Sequence, residues 1–528
     1  MSASNNLSLD LGKISFGKTD AFNELSELGS DFFLDSFVVN EKYRLSDFLD
    51  GKKYYICGKK GTGKTAFLRY LECRLRDEAE NLVIPIRFKS EFDETDKAQL
   101  MVMSTSDNED SEDTKQSSVF STDKILSQKS YVLMWKTFLI HQIFSNAKKG
   151  EYLVFEENEN YQLISALLSV LYGDASSNNS IMPKIKKGTV VINASLASVI
   201  GTKVQLEIDF DSKTRKANYL KLAKKIVQLF DCLTFAKNNV HLLIDELELS
   251  VRNKDLHQKD IELVRDLILA IDDLNKLCKC KCYNIRIIAS IRSEVVNSVL
   301  SAGFEINKCI EDYGVTVDWF QKGGDYRDNP LLKIIENKIH VSEKNNGIEP
   351  AENIWSTYFD STIHETEVRK YILNNTWYRP RDIVRLMNML QYQETQASRF
   401  TQKTFDSAQQ EYSNNMWNEI SEELILSYSA DDLKAIKTFF NRIKLPFTYR
   451  YLCERVNELS EMYPNVKRFF EKVPMSDFLE KMFSLGVIGN TGKRMVFYFL
   501  GDQDISLIEP MVIHTPLRNF FAVQSQDI

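Results

Sequence analysis

Residues 52–67 read KKYYICGKKGTGKTAF, and this short stretch decides the fold class. Its first six residues form a β-prone run, and a helical pattern of apolar residues begins near Lys64. Between the two, Gly58-Lys59-Lys60-Gly61-Thr62-Gly63-Lys64-Thr65 matches the pattern G-x-x-x-x-G-K-[ST]. A strand, a glycine loop and a helix in this order predict a phosphate-binding loop in a parallel α/β sheet. A chance match within an ordinary glycine loop is the alternative.

Each residue type in this loop has a physical role in holding a phosphate. Glycines let the backbone wrap, so that several N–H groups point at one phosphate, and the following helix adds its positive N-terminal end. We expect Lys64 to reach the β- and γ-phosphates and Thr65 to offer its hydroxyl to Mg²⁺. The residues expected to bind the nucleotide are Gly58, Lys59, Lys60, Gly61, Thr62, Gly63, Lys64, Thr65 and Ala66.

A second segment supplies the acids that such a loop requires. Val240–Ile244 is a nearly continuous apolar run, which predicts a buried strand that ends at Asp245 and Glu246. Ligands of open α/β sheets bind at that end of the strands. We therefore expect Asp245 to hold Mg²⁺ and Glu246 to polarise the attacking water as general base, with Glu248 a weaker candidate. A strand followed by an acidic helix cap is the alternative.

The acid pair favours ATP hydrolysis over other reactions of phosphate loops. Glutamate directly after the metal-binding acid favours water as the acceptor. A GTPase would carry an N-K-x-D tetrapeptide after a strand, and the sequence has none in a suitable position. Nothing in the sequence resembles a substrate lid with a phosphoacceptor site, which a small-molecule kinase would need. The sequence therefore predicts an ATPase with ATP and Mg²⁺ as its ligands.

Further polar residues are candidates for sensing the γ-phosphate. Ser290 and Arg292 follow the buried strand predicted at Ile285–Ile291, where they could orient the water and sense that phosphate. Arg379 and Arg381 flank Pro380, a residue that favours a helix start. The two arginines could contact the nucleotide phosphates. The alternatives are a surface ion pair for Arg292 and a role in joining domains for the other two arginines.

Patterns along the chain predict four parts and an α/β fold class. Three predicted helices followed by a hairpin at Gly489–Lys493 and an alternating strand at Met495–Leu500 are typical of a winged helix. The predicted parts are a lead-in packed on the ATPase core (1–50), a P-loop ATPase domain (51–320) with an acidic insertion (91–124) and a β-hairpin insertion (188–211), a helical lid (321–425) and a winged-helix-like domain (426–528).

Composition narrows the class of protein further. The chain has 528 residues, of which 43% are hydrophobic and 27% charged, with a formal net charge of −7. These values exclude a mostly disordered chain and disfavour a broad basic face for nucleic acid. Eight cysteines are too few for a disulfide scaffold. No apolar run reaches about 18 residues and the N-terminus lacks a signal-peptide layout, so we expect no membrane span and a cytoplasmic location.

The motifs together resemble bacterial AAA-related P-loop ATPases of the broad group that includes initiator and STAND-type signalling ATPases. A closer similarity is to bacterial ATPases of genomic islands. The residues that carry the resemblance are Leu11-Gly12-Lys13, Ala21-Phe22-Asn23-Glu24, the loop Cys57–Ala66, Asp245-Glu246, the strand end Ser290–Arg292 with its R-S-[DE] turn, and Arg379-Pro380-Arg381-Asp382.

This resemblance implies an ASCE-type sheet whose phosphate-loop strand is central, beside the acid and sensor strands, together with a helical lid. It implies that Lys64 and Thr65 bind phosphate and Mg²⁺, that Asp245 binds Mg²⁺, that Glu246 is the base and that Ser290 is the sensor. Members of such groups often serve in defence against phage or plasmids, and the resemblance implies that role here.

Three functions remain open from the sequence. The first is an ATP-driven switch that acts through a protein partner or effector and forms a nucleotide-dependent homo-oligomer. The second is an initiator-like or loader-like ATPase that binds DNA through a basic surface of the last domain, formed by Lys434, Lys437, Arg442, Lys444, Arg450 and Arg455. The third is an interaction scaffold that binds nucleotide without turnover.

Overall fold

A computed structural model describes residues 8–40, 44–88, 122–172, 189–193, 205–209, 215–247 and 254–525, apart from single residues at 304, 426, 493 and 503. Of the predicted acidic insertion (91–124), residues 91–121 lie outside the described residues. Within the described parts, no helix is both long enough and apolar enough to cross a membrane.

Helices and strands are numbered separately, each in chain order. The helices are α1 (Ala21–Ser36), α2 (Leu45–Leu49), α3 (Lys64–Arg76), α4 (Thr122–Lys149), α5 (Glu159–Tyr172), α6 (Arg215–Phe230), α7 (Lys254–Cys280), α8 (Ser293–Ser301), α9 (Asn307–Tyr313), α10 (Pro330–Asn345), α11 (Ile354–Tyr358), α12 (Val368–Asn375), α13 (Pro380–Gln393), α14 (Gln402–Leu424), α15 (Ala430–Phe440), α16 (Tyr449–Met462), α17 (Pro464–Lys472) and α18 (Met475–Ser484). The strands are β1 (Tyr55–Gly58), β2 (Asn81–Arg87), β3 (Thr189–Asn193), β4 (Gln205–Asp209), β5 (Asn239–Leu247), β6 (Ile285–Arg292), β7 (Gly314–Thr316), β8 (Thr362–Ile363), β9 (Thr366–Glu367), β10 (Lys444–Leu445), β11 (Ile488–Asn490), β12 (Met511–Ile513) and β13 (Gln524–Ser525).

The chain divides into two compact units. The sheet unit consists of residues 41–60 and 64–317. The helical unit consists of residues 1–40, 61–63 and 318–528, so the tip of the glycine loop, Gly61–Gly63, groups with the helical unit. The predicted lead-in is thus shared, because its residues up to 40 belong to the helical unit and the rest to the sheet unit.

The sheet unit is built on five strands that are all parallel. Their order is β2-β5-β6-β1-β7. Consecutive residues of β5 and β6 are buried almost throughout, and because neighbouring residues point to opposite faces, both faces of the sheet are covered. This is the mixed α/β fold with a parallel sheet that the alternating strands and helices predict.

The strand order corrects one expectation. The resemblance implied that the glycine-loop strand β1 would be central and beside the acid strand β5, but β6 separates the two. The central position goes to β6, whose sequence is apolar on both sides and therefore suits the most covered place in the sheet. The expected place of β1 beside the sensor strand is confirmed, because β1 pairs with β6. Its other neighbour is the short strand β7, which sequence periodicity did not predict.

Strands were also predicted at residues 188–211 and at Met495–Leu500, and the two predictions had different outcomes. β3 and β4 pair antiparallel within the range 188–211, where a β-hairpin was expected. The prediction of a wing strand at Met495–Leu500 is wrong. Within that range only Val496 forms a β-bridge, to Asn490, and Tyr498–Leu500 form a 3₁₀ turn. The partner of β11 is β12, which lies farther along the chain. Before that sheet the last part of the chain contains four helices, α15 to α18, where the winged-helix pattern was expected to have three.

Candidate functional site

The glycine loop has the local structure that its sequence predicts. The strand Tyr55–Gly58 ends where the loop begins, and the helix Lys64–Arg76 begins where it ends. Gly61 and Gly63 have φ of +82° and +91°. Residues that carry a side chain rarely adopt such backbone conformations, so glycine is required at both positions.

The side chain of Lys64 folds over the first turn of this loop. Its Nζ donates to the backbone carbonyl of Gly58 at 2.8 Å and to that of Lys59 at 2.7 Å. Lys64 is only 9% exposed, so these bonds hold a buried cation beside the loop backbone. A phosphate oxygen carries charge and would be a stronger partner for the ammonium than either neutral carbonyl.

Asp245 is the best-defined acid of the site. It lies within β5 and is 3% exposed. Its Oδ1 accepts from the backbone N–H of Glu246 at 2.9 Å and from the hydroxyl of Ser290. Its Oδ2 is buried and has no hydrogen-bond partner among the described residues. Ser290, predicted to sense the γ-phosphate, is therefore bonded to the carboxylate that was predicted to hold Mg²⁺.

The donor set of Asp245 fits a divalent cation. A buried carboxylate oxygen without a hydrogen bond is costly, and Mg²⁺ prefers oxygen ligands. Thr65 lies in the first turn of α3 and supplies a hydroxyl oxygen. Across the described ranges, no three His, Cys, Asp or Glu side chains form a group that could hold a metal ion.

Glu246 adopts a strained backbone conformation. Its φ is +61°, in the left-handed region that residues other than glycine rarely occupy. The pairing of β5 with β6 shifts register between Ile244 and Leu247, so Asp245 and Glu246 form an irregularity in the strand. Strain of this kind costs about 1–3 kcal/mol and concentrates at functional sites.

Arg87 is a site residue that sequence reasoning missed. Its Nη2 donates to Oε1 of Glu246 at 2.6 Å, and it pairs with Asp245 in the register between β2 and β5. Arg87 ends β2, and the sequence does not reveal which residue of β5 stands opposite it. The general base expected at Glu246 is thus held by a cation from the neighbouring strand.

The remaining predicted cations occupy different places. Arg292 is the last residue of β6 and stands opposite Gly58 in the register between β6 and β1. Arg381 contacts Glu419 through Nη1 and Oε1 at 3.5 Å, which is a contact within the helical unit and does not join two domains. A Cβ added at Gly61 would lie 3.5 Å from side-chain carbons of both Arg379 and Arg381. The loop tip and the R-P-R-D segment are therefore neighbours within the helical unit.

A strained turn precedes this arginine segment. Trp377 and Tyr378 have φ of +45° and +52°, so two consecutive bulky residues adopt the left-handed conformation. The indole N–H of Trp377 donates to the carbonyl of Gly486 at 2.9 Å, and His514 Nε2 bonds the carbonyl of Asn374 at 2.7 Å. The turn before Arg379 is thus held by residues that follow α18.

Stability of the helical unit should depend on pH through His514. Since a carbonyl only accepts, Nε2 of His514 carries the proton of the neutral ring, and burial lowers the pKa of His514 to about 3. The unfolded histidine titrates near 6.5, so the stability that the neutral ring confers at pH 7 is lost as the pH falls below that value. At pH 5 we expect this loss to be about 2 kcal/mol, measured by urea unfolding.

The control for this prediction separates His514 from other titrating groups. His514→Gln keeps an N–H donor for Asn374 but does not titrate, so its stability should fall less between pH 7 and pH 5. Met462→Leu changes an exposed side chain that does not titrate and should leave the pH dependence as in the wild type. Equal pH dependence in all three proteins would contradict the role of His514.

Comparison with known proteins finds a similarity for one part of the chain. Residues 329–421 match a family model described as the FunZ-associated C-terminal helical domain. The matched range corresponds to α10 through most of α14, within the segment predicted as a helical lid. No curated protein matches the chain.

Proposed function

We propose that this chain is a P-loop ATPase of the ASCE type that binds ATP with Mg²⁺ and hydrolyses it. The observation that carries this proposal is the buried, unpartnered Oδ2 of Asp245 at the carboxyl edge of a parallel sheet. The glycine loop between β1 and α3 opens at the same edge, because β1 and β5 both pair in parallel with β6. A cation ligand and a phosphate-type loop at one sheet edge are the two parts that such a reaction needs.

The residues of the site take the following roles in this proposal. Backbone N–H groups of the loop and the ammonium of Lys64 bind the phosphates and neutralise the charge that develops during transfer. Asp245 and Thr65 hold Mg²⁺, which when bound supplies positive charge next to the phosphate oxygens. Glu246 accepts the proton of the attacking water, and Arg87 must release the Glu246 carboxylate before it can do so.

The biological role that we propose is a conformational switch. ATP binding would favour one conformation of the helical lid (321–425), and hydrolysis would release it and move the last part of the chain (426–528). The resemblance to ATPases of genomic islands supports a role in defence against phage or mobile elements through a protein partner. The match of residues 329–421 to a named helical domain supports treating the lid as a module of its own.

Some residues of the basic surface that was predicted to bind DNA make contacts within the protein. Arg455 donates to the carbonyls of Phe439 and Asn441, and Lys437 lies 4.4 Å from the ring centroid of Phe520. Arg450 contacts Glu454 at 3.3 Å. The Arg450 pair lies at the surface and contributes little, whereas Lys437 and Arg455 pack on groups of the protein itself. Together with the net charge of −7, this leads us to propose the partner-gated switch ahead of the DNA-binding ATPase.

Nucleotide binding and turnover by the purified chain test the proposal. We expect binding of ATP in preference to GTP, and phosphate release that requires Mg²⁺ and stops with EDTA. Turnover should be slow, and addition of duplex DNA at low salt should not raise it. DNA stimulation would favour the initiator-like function, binding without turnover would favour the scaffold, and absence of ATP binding would overturn the proposal.

A further inference from the structure

The tip of the glycine loop is held by a buried tryptophan. Trp319 is 4% exposed, and its indole N–H donates to the backbone carbonyl of Thr62 at 2.9 Å. Both residues belong to the helical unit. A buried indole N–H that donates to a loop carbonyl fixes the direction of that carbonyl, because an unmade bond would leave both groups unsatisfied.

Trp319 is itself fixed by the start of a helix. The amide of Asn329 donates to the backbone carbonyl of Trp319 at 2.9 Å. The side-chain oxygen of Asn329 also accepts from the N–H of Leu331 at 3.0 Å and so caps α10. Asn329 is 3% exposed. The indole that contacts the loop is therefore anchored to a helix rather than to a free segment.

A second backbone contact acts on the adjacent peptide of the loop. The N–H of Arg381, in the first turn of α13, donates to the carbonyl of Gly61 at 3.4 Å. This bond is longer than the one from Trp319 and is accordingly weaker. Two successive loop carbonyls, of Gly61 and Thr62, are thus directed toward the helical unit.

Peptide geometry converts these two contacts into an arrangement of donors. In a trans peptide the carbonyl and the N–H of the next residue point in opposite directions. Holding the carbonyls of Gly61 and Thr62 therefore turns the N–H groups of Thr62 and Gly63 away from Trp319 and Arg381. Successive backbone N–H groups held in one direction form the concave donor set that binds phosphate.

We propose that Trp319 is a positioning residue for phosphate binding, which acts through the Thr62 carbonyl to hold the loop N–H groups in their binding orientation. This inference rests on the proposed function and adds a residue that lies outside the G-x-x-x-x-G-K-[ST] pattern. Its ligand class is any polyphosphate, because the contact concerns the phosphate loop and not the base of a nucleotide.

Trp319→Phe tests the inference, because it keeps an aromatic ring but removes the N–H donor. We expect KM for ATP to rise about 5- to 10-fold, since a single hydrogen bond is lost, while kcat changes less than about 2-fold. Inorganic tripolyphosphate, used as a competitive inhibitor, should lose affinity by the same factor as ATP. A residue that only stabilised the fold would not produce this selective change in KM.

The matched control is Trp135→Phe. Trp135 is also buried and donates its indole N–H to a backbone carbonyl, that of Leu263 at 3.1 Å, but it lies in the sheet unit away from the glycine loop in sequence. KM should stay at the wild-type value in this variant. Asn329→Asp is a second test of the same contact. A carboxylate still accepts from the N–H of Leu331 but cannot donate to the carbonyl of Trp319, so KM should also rise in this variant.

The outcomes separate this inference from the proposed function. Wild-type protein that binds no ATP would overturn the proposed function. Wild-type protein that binds and hydrolyses ATP, with unchanged KM in both Trp319→Phe and Asn329→Asp, would overturn only the role of Trp319. A rise in KM that is equal in Trp319→Phe and Trp135→Phe would also overturn it, because a general loss of stability would then account for the effect.

Discussion

Glu246→Gln is expected to lower kcat for ATP hydrolysis by at least about 100-fold, because a general base contributes that much or more to such a reaction. Glutamine has the same shape and its amide oxygen still accepts from Arg87, so the local geometry should be kept. Only the ability to take a proton from water is lost. ATP affinity should stay within about 2-fold of the wild-type value, because Glu246 is not expected to contact the phosphates.

Two measurements on the same protein check this expectation. Phosphate release under saturating ATP gives kcat, and equilibrium titration with ATP and Mg²⁺ gives the affinity. Glu80→Gln is the control, because Glu80 forms an exposed ion pair with Lys237 in the same unit at 3.2 Å and should change neither value. Unchanged turnover in Glu246→Gln would remove Glu246 from the reaction and leave the general base unassigned.

The ion pair between Arg87 and Glu246 bears on how fast the wild-type protein turns over. Oε1 of Glu246 accepts from the guanidinium of Arg87 at 2.6 Å, and this contact competes with the approach of a water molecule to the same oxygen. The positive φ of Glu246 adds strain that a change of backbone conformation would relieve. Slow basal turnover is therefore the expected behaviour of the conformation described here.

Local parts of the site could be predicted from the sequence, because short-range patterns determine them. The apolar run of β5 ends at Asp245, and the glycine loop stands between a strand and a helix, as the periodicity indicates. The start of α13 at Pro380 is also local, since proline favours the first helical position. These features depend on residues within a few positions of one another.

Features that depend on pairing between distant segments could not be predicted. Arg87 meets Glu246 only because β2 and β5 pair in one register, and a shift by one residue would point the side chain to the other face. The pairing of β11 with β12 is likewise between segments that are distant in sequence, whereas the nearer segment contributes only the bridge from Val496 to Asn490. Trp319 lies 257 positions from Thr62, and no local pattern links the two.

The N-terminal helix of the helical unit is joined to α10 by a buried ion pair. Lys338 Nζ donates to Glu24 Oε1 at 2.5 Å, and their side chains are 6% and 7% exposed. Burial lowers the pKa of Lys338, and the Glu24 carboxylate opposes this effect. The other oxygen of Glu24 accepts from the N–H of Lys18 at 2.9 Å. The carboxylate is therefore satisfied only while Lys338 is present.

Lys338→Met is expected to lower the free energy of unfolding by about 3–5 kcal/mol, because it leaves the charge of Glu24 buried without its partner. Tryptophan fluorescence during urea unfolding is a suitable measurement, since four of the five tryptophans belong to the helical unit. Lys13→Met is the control, because Lys13 pairs with Asp10 at the surface and its loss should cost less than about 1 kcal/mol. Adding Glu24→Gln to Lys338→Met should recover part of the loss, since the unpaired charge is then removed. A cost for Lys338→Met no larger than for Lys13→Met would mean that water or another cation replaces the buried lysine.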